Sequence, residues 1–280
     1  MTTVGYLGPE GTFSHEALVG QPSTSQLELV SLPTVHDTVM AVDEGRVERA
    51  FAPIENSLEG SVNATLDALA LETDGVAIVG EAVHAVHQCL IARAPLPLEA
   101  IETVLSHPQA NAQCARFLRE QLPQARVTAV NSTADAVRTV AASVGPTAAL
   151  GTRLSAELYG CEVLQAGVED RKDNETRFVW LAREVQRPPP TAQRHFKTSI
   201  VFWGAGSERP GWLARCLSEF ARREVSLTKI ESRPRKVGLG RYMFFLDCEG
   251  DASDPAVEAS LEGVRSHVET LKVLGSYPSA

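Results

Sequence analysis

Short apolar runs rich in β-branched residues alternate with stretches of helical periodicity along most of the chain, and polar turns separate them. Runs at 4–8, 27–30, 49–54, 103–105, 126–130, 148–150 and 162–165 have the length and composition of strands. Between them the spacing predicts helices over 15–18, 34–44, 62–71, 108–122, 134–144 and 153–159. The unit of strand, Gly/Ser/Thr/Asn turn and helix recurs at least five times, and alternating β and α elements predict parallel sheets. Residues 76–93 form a long, largely apolar stretch, too long for one ordinary strand. It is expected to leave one lobe and enter a second. A strand from Arg177 through Val179-Trp180-Leu181-Ala182 would bring the chain back, which places Thr176 near the hinge.

Arg187-Pro188-Pro189-Pro190-Thr191 cannot lie inside a helix or sheet and reads as a semi-rigid linker. Beyond it, strands at 197–203, 225–232, 242–248 and 270–274 and helices at 212–223 and 254–267 follow the ferredoxin-like order βαββαβ. Leu213, Leu217 and Phe220 read as the buried face of an amphipathic helix. No catalytic constellation is visible in this part. The expected fold class is α/β: a two-lobed domain over 1–186, a Pro-rich linker over 187–196 and a ferredoxin-like domain over 197–280. Lobe one is expected at about 1–80 plus 178–186, and lobe two at about 81–177.

A length of 280 residues suits two domains, and 44% hydrophobic residues suffice for a sizeable core. Lysine and arginine number 26 against 35 acidic residues, and the net charge of −9 argues against a nucleic-acid partner. The five cysteines (Cys89, Cys114, Cys161, Cys216, Cys248) form no CxxC pair and have mostly apolar neighbours. Buried reduced thiols and a reducing compartment are expected. Met1-Thr2-Thr3-Val4 enters a strand without the pattern of a secretion signal, and no apolar run nears the ~20 residues of a membrane span. A cytoplasmic protein with no membrane partner is expected.

Polar groups gather where strands meet helices, the edge at which open α/β sheets bind ligands. Gly11-Thr12-Phe13-Ser14 combines a glycine turn with hydroxyls at a helix start, an anion-binding arrangement in which Thr12 or Ser14 serves equally as a plain N-cap. Glu55-Asn56-Ser57, Ser106 and Thr152 occupy similar positions. Several such turns facing a cleft would offer many N–H and hydroxyl donors with little formal positive charge. That suits a small ligand with more than one carboxylate. In Asp173-Asn174-Glu175-Thr176-Arg177-Phe178 a hydroxyl and a guanidinium stand side by side where a polar loop enters a strand, which suits an anionic small molecule. His84 and His87, three apart on a predicted strand, point to opposite faces and lack a third partner for a metal.

Four ordered segments carry a resemblance: Gly8-Pro9-Glu10-Gly11-Thr12-Phe13-Ser14, Pro53-Ile54-Glu55-Asn56-Ser57, Ser106-His107-Pro108-Gln109-Ala110 and Asn174-Glu175-Thr176-Arg177-Phe178. With the Pro210-Gly211 loop and Glu231-Ser232-Arg233-Pro234, the chain resembles the prephenate dehydratases from Val4 to about Leu274. The resemblance implies that prephenate loses water and carbon dioxide to give phenylpyruvate, on the route to phenylalanine, without cofactor or metal. It implies a catalytic domain like the type II periplasmic-binding fold, with the active site between its lobes. It also implies a C-terminal ACT domain that pairs into a homodimer, or further into a tetramer, and binds phenylalanine as feedback inhibitor. The effector residues carried over are Pro210, Gly211, Trp212, Leu213, Glu231, Ser232 and Arg233. Where the family usually reads Gly-Ala-Leu, this chain reads Gly211-Trp212-Leu213, and Trp212 is expected to contact the effector region.

By the same resemblance Thr176 is the catalytic threonine, expected to donate a hydrogen bond to the leaving hydroxyl. Arg177 would bind a carboxylate or hold the loop, and Glu55 is an acid candidate if burial raises its pKa. Thr12, Ser14, Asn56, Ser57, Ser106, Thr152, Asn174 and Phe178 complete the expected substrate site. His107 reads as structural, because a helix start disfavours its charged form. An arogenate dehydratase would share these motifs, and a catalytically silent amino-acid sensor would share the architecture. The intact Thr176-Arg177-Phe178 argues against the sensor.

Overall fold

The computed structural model describes residues 1–22, 24–183, 195–204, 206–207 and 209–280. The expected linker at 187–196 lies, apart from its last two residues, outside the described residues. Lobe one is built from β1 (Thr2–Leu7), α1 (Phe13–Val19), β2 (Leu27–Leu32), α2 (Val35–Asp43), β3 (Arg49–Asn56), the short β4 (Gly60–Ser61), α3 (Asn63–Asp67) and β5 (Ala77–Ala85). Lobe two follows with β6 (Cys89–Ala92), β7 (Thr103–Ser106), α4 (Pro108–Gln113), α5 (Ala115–Gln121), β8 (Arg126–Ala129), α6 (Thr133–Ala142), β9 (Thr147–Gly151), α7 (Arg153–Tyr159) and β10 (Glu162–Ala166). The chain returns as β11 (Glu175–Ala182). It ends in β12 (Phe196–Trp203), α8 (Trp212–Ala221), β13 (Leu227–Pro234), β14 (Tyr242–Glu249), α9 (Pro255–Arg265) and β15 (Thr270–Pro278).

The first sheet has the order β2-β1-β3-β11-β5. β1, β2 and β3 are parallel, and the returning β11 is inserted antiparallel between β3 and β5. This is the type II periplasmic-binding arrangement. The second sheet, β10-β6-β9-β7-β8, has β7, β8 and β9 parallel, β6 antiparallel to β9, and β10 antiparallel to β6. Both sheets are therefore mixed, where helical alternation alone suggested parallel ones. Crossover helices enforce parallel neighbours only within a lobe.

The long stretch at 76–93 is two strands in two different sheets. β5 lies wholly in lobe one and β6 in lobe two, so the crossing is at Val86-His87-Gln88 and not at 81. β11 likewise joins lobe one from Glu175, ahead of the expected 178. The sequence carries no Gly/Pro/Asn turn at the break, and β-branched and apolar residues stand on both sides of it. The helix expected at 62–71 is α3 continued by a π-helical turn, Ala68–Glu72. The one expected at 108–122 breaks at Cys114, whose φ of −113° and ψ of 18° leave helical geometry.

The last sheet, β13-β14-β12-β15, is antiparallel and ferredoxin-like. One face packs Ile200, Phe202 and Leu246 against Trp212, Cys216 and Phe220 of α8 and Val257, Leu261 and Val264 of α9. The other face is not solvated. Val201, Met243, Phe245, Leu274 and Tyr277 share one continuous core with Leu69, Ile78, Val179 and Leu181 of lobe one. Contact between β15 and β5 is close enough that a Cβ on Gly275 would stand 2.1 Å from the Ile78 carbonyl oxygen. All five cysteines are free, and burial pushes the Cys216 and Cys248 thiols up to about 11 and about 12. Among the described residues no helix is long and apolar enough to cross a membrane.

Gly275→Ala should therefore loosen the ferredoxin-like domain from lobe one. The expected loss is about 1–3 kcal/mol of stability, the range for overpacking a close contact. Urea unfolding checks it, and a stability equal to the wild type contradicts the contact.

Candidate active site

A cavity of about 490 Å³ opens between the lobes. Lobe one contributes Pro9, Thr12, Phe13, Ser14, Pro53, Asn56, Thr176 and Phe178, and lobe two His107, Gln109, Gln113, Asn131, Ser132, Thr133 and Asp135. Val86, Gln88 and Asn174 come from the two crossings. No lysine or arginine lines it among the described residues. Its polarity comes from amides, hydroxyls, the His107 ring, the Asp135 carboxylate and helix starts: Thr12 caps α1, His107 caps α4 and Ser132 caps α6. Free N–H groups at such starts favour anions without a formal cation.

Thr176 is held by one amide. Asn56 Oδ1 accepts from the backbone N–H groups of Leu58 and Glu59, both at 3.0 Å. That leaves the Asn56 amide nitrogen facing Thr176 Oγ1 at 3.0 Å, Asn174 Oδ1 at 2.8 Å and the Glu175 carbonyl at 3.1 Å. The Thr176 oxygen is thus an acceptor, and its own O–H has no acceptor among the described residues. The amide string continues, since Asn174 Nδ2 donates to Gln113 Oε1 at 3.2 Å and Gln88 Nε2 reaches the same oxygen at 3.5 Å. Gln88 Oε1 is buried with no hydrogen-bond partner among the described residues. Phe178 stacks on Phe51 with centroids 4.8 Å apart and closes the wall behind Thr176.

Side chains alternate along a strand, so Thr176 and Phe178 face the cleft and Arg177 between them does not. On β3 the pairing places Glu55 opposite Arg177 but Pro53 opposite Phe178, which leaves Ile54 unpaired as a bulge. The extra residue lets both Pro53 and Asn56 line the cleft, three positions apart, while Glu55 turns away. Arg177 and Glu55 are therefore corrected from cleft residues to interdomain ones. Glu55 Oε2 lies 3.2 Å from Arg177 Nη1. It also lies 3.1 Å from Lys229 Nζ, an ion pair without hydrogen-bond alignment. The carboxylate expected as an acid thus answers two cations on the far side of the sheet.

Of the other expected residues, Thr12, Ser14, Asn56, Asn174, Thr176 and Phe178 come together in the cavity. Ser57, Ser106 and Thr152 do not. Ser57 bonds the Asp173 carbonyl and the Glu175 N–H, bracing the return into β11. Ser106 donates to the Leu150 carbonyl inside lobe two. Thr152 caps α7 and donates to the Gly11 carbonyl at 2.8 Å, tying lobe two to lobe one. Gln88, Gln113, Asn131, Ser132 and Thr133 line the cavity but were not among the expected site residues. The Asn131-Ser132-Thr133 turn repeats the strand-to-helix signal, but isolated glutamines carry none. His84 and His87 pair with different carboxylates, Glu16 and Glu169.

The expected effector residues are also divided. Trp212 is buried against Phe202 and Phe244, and its indole N–H donates to the His267 carbonyl at 2.7 Å, so it fills the domain core beneath the Gly206 backbone. Leu213 packs on the same core. Pro210, Gly211 and Ser232 are exposed, and Glu231 is partly buried. Arg233 forms a two-pronged pair with Asp67 of lobe one, at 2.8 and 2.9 Å. A second cavity of about 470 Å³ lies beside the 204–211 loop, lined by Arg209, Arg235, Arg241, Tyr242 and Glu269 among others.

His15 holds the turn that carries Thr12 and leads into Ser14 on α1. Its Nδ1 accepts from the Gly11 N–H at 3.1 Å, and its ring stacks on Tyr6. Burial pushes its pKa below the ordinary histidine value. The unfolded chain then takes up a proton first, so the stability His15 contributes is present above its unfolded pKa of about 6.5 and lost as pH falls below it. His15→Gln should show a smaller drop in melting temperature between pH 7.5 and 5.5 than the wild type. Equal drops in the two proteins contradict the assignment.

Residues 4–186 match the prephenate dehydratase family profile. A prephenate dehydratase of Mycobacteroides abscessus is 39% identical over 284 residues, covering 99% of this chain and 90% of that protein. The structure of a prephenate dehydratase from Arthrobacter aurescens in complex with L-Phe has a TM-score of 0.90 at 34% identity, over 99% of this chain and 90% of that one. The same architecture, at a TM-score of 0.86 and 28% identity over 99% of this chain and 98% of that one, occurs in GqqA, described as a novel type of quorum-quenching acylase. Fold similarity alone therefore leaves more than one described activity. The profile match across both lobes and the full-length sequence match decide between them: this chain belongs to the prephenate dehydratase family.

Proposed function

We propose that the chain converts prephenate to phenylpyruvate with Thr176 as hydrogen-bond donor to the departing hydroxyl. The observation that carries this reading is the Thr176 oxygen bound to the Asn56 amide nitrogen, with its O–H left for the cleft. In the reaction the ring carboxylate leaves as carbon dioxide and its bonding electrons enter the ring. The C–O bond across the ring breaks, and the hydroxyl takes up a proton and leaves as water. Aromatisation supplies the driving force, so the protein needs to orient the substrate and stabilise the leaving oxygen. A threonine hydroxyl is a weak acid, which suits a donor in a preorganised site. The Ser14 hydroxyl, the α6 start at Ser132 and Thr133, and the amides of Asn174 and Gln113 supply neutral donors for the two carboxylates.

Phenylalanine is the effector in this reading, bound by the ferredoxin-like domain as an ACT module, with pairing of these domains giving a homodimer. Its support is the L-Phe complex of the Arthrobacter aurescens relative. The five free thiols fit a reducing, cytoplasmic location.

The test is phenylpyruvate formation from prephenate by the purified chain, with and without phenylalanine, and with arogenate as parallel substrate. Prephenate turnover that falls on adding phenylalanine is expected. Thr176→Ala should lower kcat by about 10²-fold, the range for lost acid assistance, with KM for prephenate nearly unchanged. Near-normal turnover in that variant overturns the role of Thr176.

A further inference from the structure

On the reverse side of Thr176 the same strand carries a side chain bonded to both domains. Arg177 Nε donates to Glu81 Oε2 at 2.7 Å, and Nη1 donates to Asp247 Oδ2 at 2.7 Å and Glu55 Oε2 at 3.2 Å. Nη2 donates to the Tyr277 hydroxyl at 2.9 Å. Glu81 and Glu55 belong to lobe one, and Asp247 and Tyr277 to the ferredoxin-like domain. Lys197 closes the network on Glu81 at 2.8 Å, and Ser199 donates to Asp247 Oδ1 at 2.6 Å. The side chains of Arg177, Asp247 and Glu81 are only 12%, 8% and 2% exposed.

Charge complementarity runs across the domain boundary. Lobe one brings Arg177 with Glu55 and Glu81, a net negative set, and the other domain brings Lys197 and Lys229 with Asp247, a net positive one. The cluster is neutral only when the domains are docked. Burial opposes the charge on Arg177, but Tyr277, Asp247 and Glu81 outweigh it and raise its pKa, so the cation is fixed. A planar guanidinium held at three edges transmits displacement better than a flexible ammonium.

We infer that Arg177 passes the placement of the ferredoxin-like domain to Thr176, which makes Asp247 and Tyr277 of that domain positioning residues for the reaction in the cleft. The route is one peptide bond long. A shift of β14 or β15 moves the anchor of Arg177, and Thr176, the next residue on β11, changes its place relative to Asn56. The Ile54 bulge on the facing strand leaves the ladder one pairing short at this point. The inference rests on the reading of Thr176 as the reacting donor.

The experiment is steady-state turnover of prephenate by full-length Asp247→Asn and Tyr277→Phe, with Asp67→Asn as comparison. Asp67→Asn weakens a different polar contact between the domains, with Arg233 and Lys236, without touching Arg177. Rates are normalised to the folded fraction measured by near-UV circular dichroism. The expected result is a kcat about 10-fold or more lower in Asp247→Asn, the scale of a small misplacement of a reacting group, with KM within about twofold of wild type. Tyr277→Phe, which removes a single hydroxyl, should show the same split more weakly, and it decides the matter if Asp247→Asn does not fold. Asp67→Asn should keep its kcat. Unchanged kcat in Asp247→Asn and Tyr277→Phe overturns the inference, and so does an equal kcat loss in Asp67→Asn. Absence of turnover in the wild type would instead overturn the proposed function.

Discussion

A guanidinium taken out of water must have its charge answered within hydrogen-bond reach. Arg177 has that need met by two domains at once, through Glu81 and Glu55 on one side and Asp247 and Tyr277 on the other. Much of the architecture is arranged around this. β11 lies between β3 and β5, so each neighbouring strand can supply a carboxylate to the same side of the sheet. Strand alternation then presents Thr176 to the opposite side, where Asn56 and Asn174 receive it. The apolar core shared by Ile78, Val179, Val201 and Tyr277 meets the ionic cluster at Tyr277, and Arg177, Glu81 and Asp247 are largely buried there.

The cleft follows a different electrostatic rule. Amides, hydroxyls and helix starts line it beside apolar walls and the Asp135 carboxylate, and the cation next in sequence to its central threonine is turned away from it. That division suits a decarboxylation. A fixed cation on the departing carboxylate would stabilise it most in the ground state and raise the barrier to its loss. Neutral donors orient the same group at a smaller penalty. The amide string from Gln88 through Gln113, Asn174 and Asn56 to Thr176 gives the site rigidity, since each oxygen or nitrogen in it restricts the next.

The sequence by itself determined the element order, the two-lobed and ferredoxin-like division and the clustering of polar turns at strand ends. Those rest on local periodicity and turn chemistry, which a single chain displays directly. Through the resemblance of whole segments it also grouped Thr176, Asn56, Asn174 and Ser14, which line one cavity. It did not reveal which face each residue would take. Arg177 and Glu55 stand beside cleft residues in every linear reading, and only the pairing of β11 with β3, including the unpaired Ile54, turns them toward the other domain. Trp212 and Arg233 sit in segments expected to hold an effector, yet packing against Phe202 and pairing with Asp67 give both other work. The placements of Arg177, Glu55 and Arg233 depend on contacts between residues more than a hundred positions apart, Arg177 with Glu55 and Arg233 with Asp67, and no local pattern encodes them.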